Sequence, residues 1–248
     1  MQPPIFYAPP EQREGDIIVL PAEEARHALR VLRLKPGAIV VVIDGLGGAC
    51  RAEILSSTAR KTLVRIHNEI RDFGEPSVRL TLAAGLSAGY KFDSVVQRGT
   101  ELGVKRFVPL VTEKSKIKID DPRRSRSRVT RLRKVALAAV KQCRRSYIPE
   151  IALPMSLERF LAEFDREDTG LIFHPVGSPG ALADLPLKSG LKRLTLLVGP
   201  EAGFSKDEVE STVKAGFAPV SLGSRVLRTE TAGPVAVALL MDRLGELR

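Results

Sequence analysis

The sequence predicts an α/β protein of two domains, in which a small, mostly β domain precedes a larger domain built on a parallel sheet. Three observations lead to this prediction. The 248 residues of the chain exceed the roughly 150 residues of an average domain. Short apolar runs alternate with turns over about the first seventy residues. After that point, apolar runs without polar alternation are separated by helix-like stretches, which is typical of parallel strands buried on both faces.

The first domain is predicted to span residues 1–73 and to contain one helix. Its strands are expected where apolar runs end in turn residues, at residues 17–20, 38–43, 49–55 and 63–66. The glycine-rich segment 44–48 predicts a hairpin turn, and it matches neither of the common glycine patterns of nucleotide-binding loops. Apolar residues recur at helical spacing from Ala25 to Leu32, so a helix is predicted over residues 21–33.

The second domain is predicted to span residues 74–248, after a linker at 72–76 that is rich in turn residues. Its strands are expected at residues 78–84, 107–111, 170–173, 194–198 and 219–222. Ser205 and Glu208 have the spacing of a capping box, which predicts the start of a helix. A further helix is expected over the apolar stretch 232–244.

The composition argues against several classes of protein. The two cysteines, Cys50 and Cys143, lie far apart, and the three histidines, His27, His67 and His174, are scattered. We therefore expect neither a disulfide framework nor a metal site. No apolar run is long enough to span a membrane, and the first residues lack the pattern of a signal peptide. The sequence thus predicts a cytoplasmic protein that needs no metal.

The positive charge of the chain is concentrated in one segment, which we call the basic segment (residues 114–145). It contains thirteen basic and two acidic residues, a net charge of +11 against +10 for the whole chain. Apolar residues from Val129 to Cys143 recur at helical spacing, so the basic side chains are expected on the other faces of a helix. Such a surface suits nucleic acid, although a solvated helix face is an equally good explanation. Tyr147 is the only aromatic residue nearby, so stacking of single-stranded bases is not indicated.

Two loops at predicted strand ends have the composition of a site. In open parallel sheets, ligands bind at the carboxyl ends of the strands. One loop follows the strand at 194–198 and brings Glu201 between Gly199 and Gly203; the other follows Gly223 and runs from Ser224 to Thr231. Glycines let the main chain approach a ligand closely. Glycine and proline are also ordinary turn residues, and that interpretation stays open here.

Four segments of the chain resemble one known family. They read HALRVLR at residues 27–33, KFDSVVQRGTELGVKRFVPLVTEKS at 91–115, LVGPEAGFSKDE at 197–208 and SLGSRVLRTET at 221–231. In this combination the sequence resembles the RsmE-type ribosomal RNA uracil-N3 methyltransferases of the SPOUT superfamily. Two departures stand out. Ala202 occupies a position where the family usually has a second glycine, and residues 141–145 read KQCRR where a Glu-Gln-x-Gly-Arg pattern is common.

The resemblance implies a PUA-like RNA-binding β-barrel domain, then a SPOUT-type parallel sheet with a C-terminal trefoil knot. It implies a homodimer that uses S-adenosylmethionine to methylate N3 of a uridine in 16S rRNA, free or within the 30S subunit. The residues that the resemblance places against the cofactor are His174, Pro175, Leu197, Gly199, Pro200, Glu201, Gly203, Leu222, Gly223, Val226, Leu227 and Arg228. The arginines predicted to contact RNA are Arg30, Arg33, Arg128, Arg131, Arg144 and Arg145.

The predicted chemistry needs a proton acceptor and a group that stabilises negative charge, because N3 of uridine carries a proton. Arg228 is predicted to stabilise the charge, and Glu201 or Glu230 to take the proton. A mutual Arg228–Glu230 pair that shapes the loop is an equal alternative. For the whole protein, the alternatives are another SPOUT RNA methyltransferase, acting on a ribose hydroxyl or another base, and a ribosome-assembly factor that binds RNA without catalysis.

Overall fold

The computed structural model describes residues 2–58, 60–87, 89–115, 117, 121–174, 180–187 and 190–247. The chain forms two compact units. The first unit comprises residues 1–75 together with 137–148, and the second comprises 76–136 together with 149–248. Each unit is built around its own sheet, and the division of the chain into domains at residue 73 stays a prediction.

The sheet of the first unit has six strands within the described residues, in the order β1-β4-β5-β6-β3-β2. Their bounds are β1 Ile5–Tyr7, β2 Arg13–Glu14, β3 Ile17–Leu20, β4 Ile39–Ile43, β5 Gly48–Ser57 and β6 Thr62–Arg71. Strands β1 and β4 are parallel, and the other neighbours are antiparallel. The predicted hairpin joins β4 to β5, where Gly45 and Gly47 have positive φ angles and the Asp44 carboxylate accepts from the Gly48 N–H at 2.9 Å.

The predicted helix of the first unit begins as α1, Ala22–Arg26, and continues as one π-helical turn over His27–Val31. Ala25 and Ala28 are fully buried on its inner face, as the apolar spacing predicts, whereas Leu32, which follows the π-helical turn, is 39% exposed. The turn ends where Arg33 adopts a φ of +51°. Arg30 and Arg33, both predicted to contact RNA, are exposed, and so is Val31.

The end of a second-unit helix belongs to the first unit. Helix α3 spans Pro122–Cys143, and its residues from Leu137 onward count with the first unit. Val140 is fully buried in a cluster with Val41, Ile43 and Ala49. Sequence order alone does not suggest this arrangement, because about seventy residues of chain separate strand β6 from this helix end.

The sheet of the second unit has seven strands within the described residues, all parallel. The order is β10-β8-β7-β12-β11-β13, and β9 pairs with β8. The bounds are β7 Arg79–Gly85, β8 Arg106–Val111, β9 Glu150–Ile151, β10 Met155–Ser156, β11 Thr169–Phe173, β12 Arg193–Val198 and β13 Ala218–Val220. This arrangement confirms the predicted α/β class and each of the five predicted strands.

Helices cover both faces of this sheet. Besides α3 they are α2 Lys91–Glu101, α4 Leu157–Ala162, α5 Lys206–Lys214 and α6 Thr229–Arg243. Side chains of a strand alternate between the faces, so Leu196 and Val198 join one core while Leu197 joins the other. Helix α6 packs in the same core as Leu82, where Ala236, Val237 and Leu240 are fully buried. The trefoil knot stays a prediction.

The predicted capping box is present in full at the start of α5. The Ser205 hydroxyl accepts from the Glu208 N–H at 3.2 Å, and the Glu208 carboxylate accepts from the Ser205 N–H at 2.8 Å. No helix in the described part of the chain has the length and apolar character needed to cross a membrane.

Candidate active site at the ends of three parallel strands

A cavity of about 300 Å³ lies where three parallel strands of the second unit end together. Phe173 of β11 is in register with Val198 of β12 and with Val220 of β13. The chain that leaves each strand therefore starts at the same edge of the sheet. The cavity is lined by Lys114, Phe173, His174, Val198, Gly199, Pro200, Glu201, Ala202, Gly203, Phe204, Leu222, Gly223, Arg225, Val226, Leu227, Thr229 and Ala232.

The loop after β12, residues 199–204, folds tightly against its surroundings. Gly203 has a φ of +68° and donates its N–H to the Pro200 carbonyl at 2.8 Å, closing a turn. A Cβ atom at Gly199 would lie 3.2 Å from the Gly203 Cα atom. A Cβ atom at Gly85 would lie 2.2 Å from the Pro200 nitrogen. A side chain at Gly85 would thus collide with the Pro200 backbone, and one at Gly199 would press tightly on the Gly203 backbone.

Side chains from three other elements hold this loop. The Lys114 ammonium donates to the Phe204 carbonyl at 3.0 Å, and the Thr229 hydroxyl at the start of α6 donates to the Gly199 carbonyl at 2.9 Å. Lys91, the first residue of α2, forms an ion pair with Glu201. The loop is consequently fixed at its first, middle and last positions.

The loop after β13, residues 221–228, is more exposed to solvent. Gly223 has a φ of +101°, and its N–H donates to the Ser221 hydroxyl at 3.1 Å. Leu222 and Leu227 are half-buried against the core, whereas Val226 is 81% exposed. An apolar side chain left in water at a cavity edge is available to contact a ligand.

Two charged residues at the start of α6 were predicted to act in catalysis. Arg228 is the N-cap residue, and its side chain is largely exposed. The Glu230 side chain is mostly buried, and its carboxylate oxygen lies 4.0 Å from the Arg228 guanidinium. The second carboxylate oxygen, Oε2, is buried with no hydrogen-bond partner among the described residues. Neither residue lines the cavity.

His174 follows β11 directly and lines the cavity. Its backbone N–H donates to the Val220 carbonyl at 3.2 Å, which fixes its position beside β13. Burial lowers the pKa of the imidazole below 6.5, and the nearby charge of Lys114 lowers the pKa further. The neutral imidazole is therefore favoured near pH 7.

Most of the residues predicted to contact the cofactor meet at this cavity. Nine of them line it: His174, Gly199, Pro200, Glu201, Gly203, Leu222, Gly223, Val226 and Leu227. Leu197 does not, because its side chain points into the core on the other face of the sheet. Arg228 lies next to the lining residues Leu227 and Thr229 without lining the cavity itself, and Pro175 lies outside the described residues.

Sequence reasoning missed two lysines of the site. Lys114 follows the end of β8, and Lys91 begins α2. The rule that ligands bind at carboxyl ends of parallel strands could have identified Lys114, because its strand was predicted. Lys91 gave no local signal, since it reaches Glu201 from more than a hundred positions away.

The arginines predicted to contact RNA differ in their surroundings. Arg128 is half-buried, and burial followed by the charge of Arg131 lowers its pKa. Arg131 forms an ion pair with Asp93 of α2, so its charge is already matched. Arg126, Arg133 and Lys134 are exposed on α3 and make no ion pair within the described residues.

Two further predicted RNA contacts, Arg144 and Arg145, make internal contacts in the first unit. Arg144 donates to the Pro3 carbonyl at 3.1 Å, with its guanidinium over the Phe73 ring. The Arg145 side chain is 3% exposed and pairs at 2.8 Å with the Glu75 carboxylate, which is 1% exposed. A buried guanidinium engaged by a carboxylate cannot reach a phosphate without leaving its partner, so the predicted RNA contact of Arg145 is corrected to an internal one.

Family models match both parts of the chain. Residues 74–241 match the model described as RNA methyltransferase domain, and residues 20–66 match that of the RNA methyltransferase PUA domain. The ribosomal RNA small subunit methyltransferase E of Buchnera aphidicola subsp. Acyrthosiphon pisum is 30% identical over 233 residues, which are 92% of this chain and 88% of that protein.

Solved structures are similar over almost the whole chain. A ribosomal RNA small subunit methyltransferase E from Neisseria gonorrhoeae, bound to S-adenosylmethionine, superposes with a TM-score of 0.87, 29% identity and 98% coverage of both chains. A methyltransferase from Legionella pneumophila, in complex with the same cofactor, superposes with a TM-score of 0.86, 32% identity and 98% coverage of both chains.

Proposed function

Because the chain belongs to the ribosomal RNA small subunit methyltransferase E family, we propose that it transfers a methyl group from S-adenosylmethionine to N3 of a uridine in 16S rRNA. The observation that carries this proposal is the single cavity that both glycine-containing loops line at the carboxyl ends of β11, β12 and β13. This is the position at which an open parallel sheet binds its ligand.

The residues of the cavity fit the cofactor. Its volume of about 300 Å³ is at the lower end of the range of small-molecule sites. Leu222 and Leu227 offer apolar surface to a purine ring, and Glu201 with Lys114 offers both charges that a zwitterionic amino-acid group needs. Gly199 and Gly203 leave backbone groups open to a ligand. When bound, S-adenosylmethionine supplies a methyl group on a sulfonium, which a nucleophile can take by in-line displacement.

The residues of the chain then have to make N3 nucleophilic. Loss of the N3 proton spreads negative charge onto the flanking carbonyl oxygens of the base, and the exposed guanidinium of Arg228, next to the lining residues Leu227 and Thr229, is one donor at the cavity edge. Between the two carboxylates predicted as proton acceptors, Glu230 is the better candidate. Glu201 is held by Lys91, whereas a Glu230 oxygen is buried without a hydrogen bond among the described residues.

The remaining expectations from the family are part of the same proposal. The enzyme acts as a homodimer in the cytoplasm, on the 16S rRNA as free RNA or in the 30S subunit, and the first unit contributes to RNA binding. Sedimentation of the purified protein tests the dimer: a particle of twice 27.0 kDa is expected.

The reaction is tested with unmodified 30S subunits and methyl-labelled S-adenosylmethionine. The expected product is 3-methyluridine, identified by mass spectrometry of the digested rRNA. Label on a ribose hydroxyl or another base would support the alternative SPOUT activity. Binding of RNA without binding of cofactor, measured by calorimetry, would support the non-catalytic assembly factor instead.

Replacement of Gly199 tests the cavity directly. Gly199→Val is expected to abolish cofactor binding, because even a Cβ atom there lies 3.2 Å from the Gly203 backbone. Calorimetry measures the binding, and thermal unfolding shows whether the variant is folded. If the folded variant binds the cofactor normally, the cavity is not the cofactor site.

Replacement of Glu230 tests the proton acceptor. Glu230→Gln is expected to lower kcat by about 10²- to 10⁴-fold, the usual contribution of a general base, with cofactor affinity unchanged. Glu210→Gln, on the exposed surface of α5, is the matched control. A kcat loss in Glu201→Gln, with none in Glu230→Gln, would reverse the assignment.

A further inference from the structure

One aromatic ring of the second unit is exposed beside the cavity. Tyr90 immediately precedes α2 and is 77% exposed. It is the only largely exposed aromatic side chain in the part of the chain that the structure describes, since all phenylalanines and the other two tyrosines are buried or half-buried. An isolated exposed ring is common on protein surfaces, so its surroundings decide whether it has a role.

The ring of Tyr90 rests on a guanidinium of the basic segment. The Arg131 guanidinium carbon lies 5.0 Å from the ring centroid, within the range of a cation–π contact. Arg131 is itself held by the Asp93 carboxylate, and the Asp93 N–H donates to the Tyr90 carbonyl at 3.1 Å. The ring is therefore held in place by a closed set of contacts while most of its surface faces solvent.

The ring lies between the cavity, where the proposed function places the target base, and the basic side chains of α3. On one side, the next residue is Lys91, which pairs with Glu201 in the cavity wall; neighbouring Cα atoms are about 3.8 Å apart. On the other side, Arg131 belongs to α3, where Arg124 and Lys134, seven and three positions away, lie on the same side of the helix and are exposed. An aromatic face within a positively charged surface is the arrangement that binds unpaired bases by stacking.

We propose that Tyr90 is a stacking platform for an unpaired nucleobase of the RNA substrate, adjacent to the base that enters the cavity. Arg131 packs against one face of the ring, and the exposed Arg124 and Lys134 of α3 bind the phosphates. Unpaired bases of RNA are commonly recognised by stacking on aromatic rings and guanidinium planes. That the bound polymer is RNA rests on the proposed function. The exposed ring of Tyr90, its contact with Arg131 and its location beside the cavity do not depend on that proposal.

The platform is tested by the binding of a labelled oligouridylate to the full chain, measured by fluorescence anisotropy. Tyr90→Ala is expected to weaken binding about tenfold, within the usual contribution of one stacked base, whereas Tyr90→Phe keeps the ring and stays within about twofold. Leu153→Ala, which truncates another exposed apolar side chain of the same unit, is the matched control and leaves the affinity unchanged. Because stacking neutralises no phosphate, the salt dependence of binding is unchanged in Tyr90→Ala.

Three results would overturn the platform: full affinity in Tyr90→Ala, an equal loss in Tyr90→Phe, or dissociation of an oligomer in Tyr90→Ala, which would show that a second copy of the chain covers the ring. Methylation of 30S subunits is measured separately on the same variants. Tyr90-dependent RNA binding without methylation would refute the proposed function alone. Normal methylation with no effect of Tyr90→Ala on binding would refute the platform alone.

Discussion

The two parts of helix α3 both carry positive charge, but the surroundings of that charge differ between them. In the part that belongs to the second unit, residues 122–136, Arg126, Arg133 and Lys134 are exposed and make no ion pair within the described residues. In the last turn and just beyond it, Lys141 pairs with Glu24 at 2.6 Å and Arg145 pairs with Glu75 at 2.8 Å. Both of those carboxylates are almost fully buried.

This difference shows that a count of charges overstates the charge available to a partner. A charge run in a sequence gives the electrostatic potential only if its members remain unpaired in the folded chain. Here the exposed arginines can attract RNA, while the buried ones satisfy carboxylates that folding removes from water. The basic segment is therefore partly an exposed positive surface and partly a structural element of the first unit.

The largest expected effect that separates the two parts is on stability. Arg145→Ala should lower the free energy of unfolding by about 3–5 kcal/mol, because it leaves the buried Glu75 carboxylate without its positive partner. Arg133→Ala should change it by no more than about 0.5 kcal/mol, as an exposed residue. Urea denaturation followed by circular dichroism measures both. Equal losses of unfolding free energy in the two variants would show that the two parts of the helix do not differ.

The next effect is on RNA binding. Arg126 and Arg133 are seven positions apart and share one face of α3. Replacing both by alanine should lower the slope of log affinity against log salt by about 0.7 for each phosphate of a single strand that the helix no longer neutralises. The free energy of unfolding should stay unchanged. Lys206→Ala with Lys214→Ala, a pair of exposed charges on α5, is the control; an equal slope change there would mean that only net charge matters.

The smallest expected effect concerns Lys114, the first residue of the basic segment, whose charge acts inside the cavity. Lys114→Gln should raise the pKa of His174 toward 6.5 without reaching it, because burial is the larger cause of the lowered pKa and remains. Histidine resonances in NMR spectra measure this pKa, with His174→Asn to identify the signal. Lys214→Gln should leave the pKa unchanged, and a pKa that falls in Lys114→Gln would contradict the expectation.

The same pKa has a consequence for stability. Since the pKa of His174 is lower in the folded chain than its ordinary value of 6.5, the unfolded chain takes up the proton first as the pH falls. The stabilisation from neutral His174 is therefore complete above pH 6.5 and is lost as the pH falls from there to the lowered pKa. Because Lys114→Gln should raise the pKa of His174 in the folded chain, the pH interval over which this stabilisation is lost should become narrower at its lower end.

The local patterns of the sequence located five of the seven strands of the second sheet and the two loops, but not the two-residue strands β9 and β10. Apolar runs located all five predicted strands, and Ser205 with Glu208 located the start of α5. These features depend on neighbours in the chain. Contacts over long sequence distances were not accessible in this way. The sequence indicated Tyr147 as the aromatic residue nearest the basic segment, whereas folding brings Tyr90 onto Arg131 across forty-one positions.

The buried ion pair of Arg145 illustrates the same limit. Nothing in the run at residues 141–145 distinguishes an arginine with a buried partner from one in solvent, because the partner, Glu75, lies in a distant turn. The cavity residues could be predicted across long sequence distances, because the resemblance to a family indicates which distant segments meet, and local patterns do not. Even so, Leu197 faces the opposite core, as the alternation along β12 requires.

The late position of the end of helix α3 in the chain also determines when the first unit can be completed during synthesis. All six strands of the first sheet have been made once residue 71 is joined to the chain, but Val140 and Arg145, which complete that unit's interior, emerge only later. At about 5–20 residues per second the ribosome needs roughly 4 to 15 s to reach residue 148. During that time the nascent first sheet keeps an open side and an unmatched Glu75. A polypeptide cut after residue 75 would remain in that unfinished state permanently.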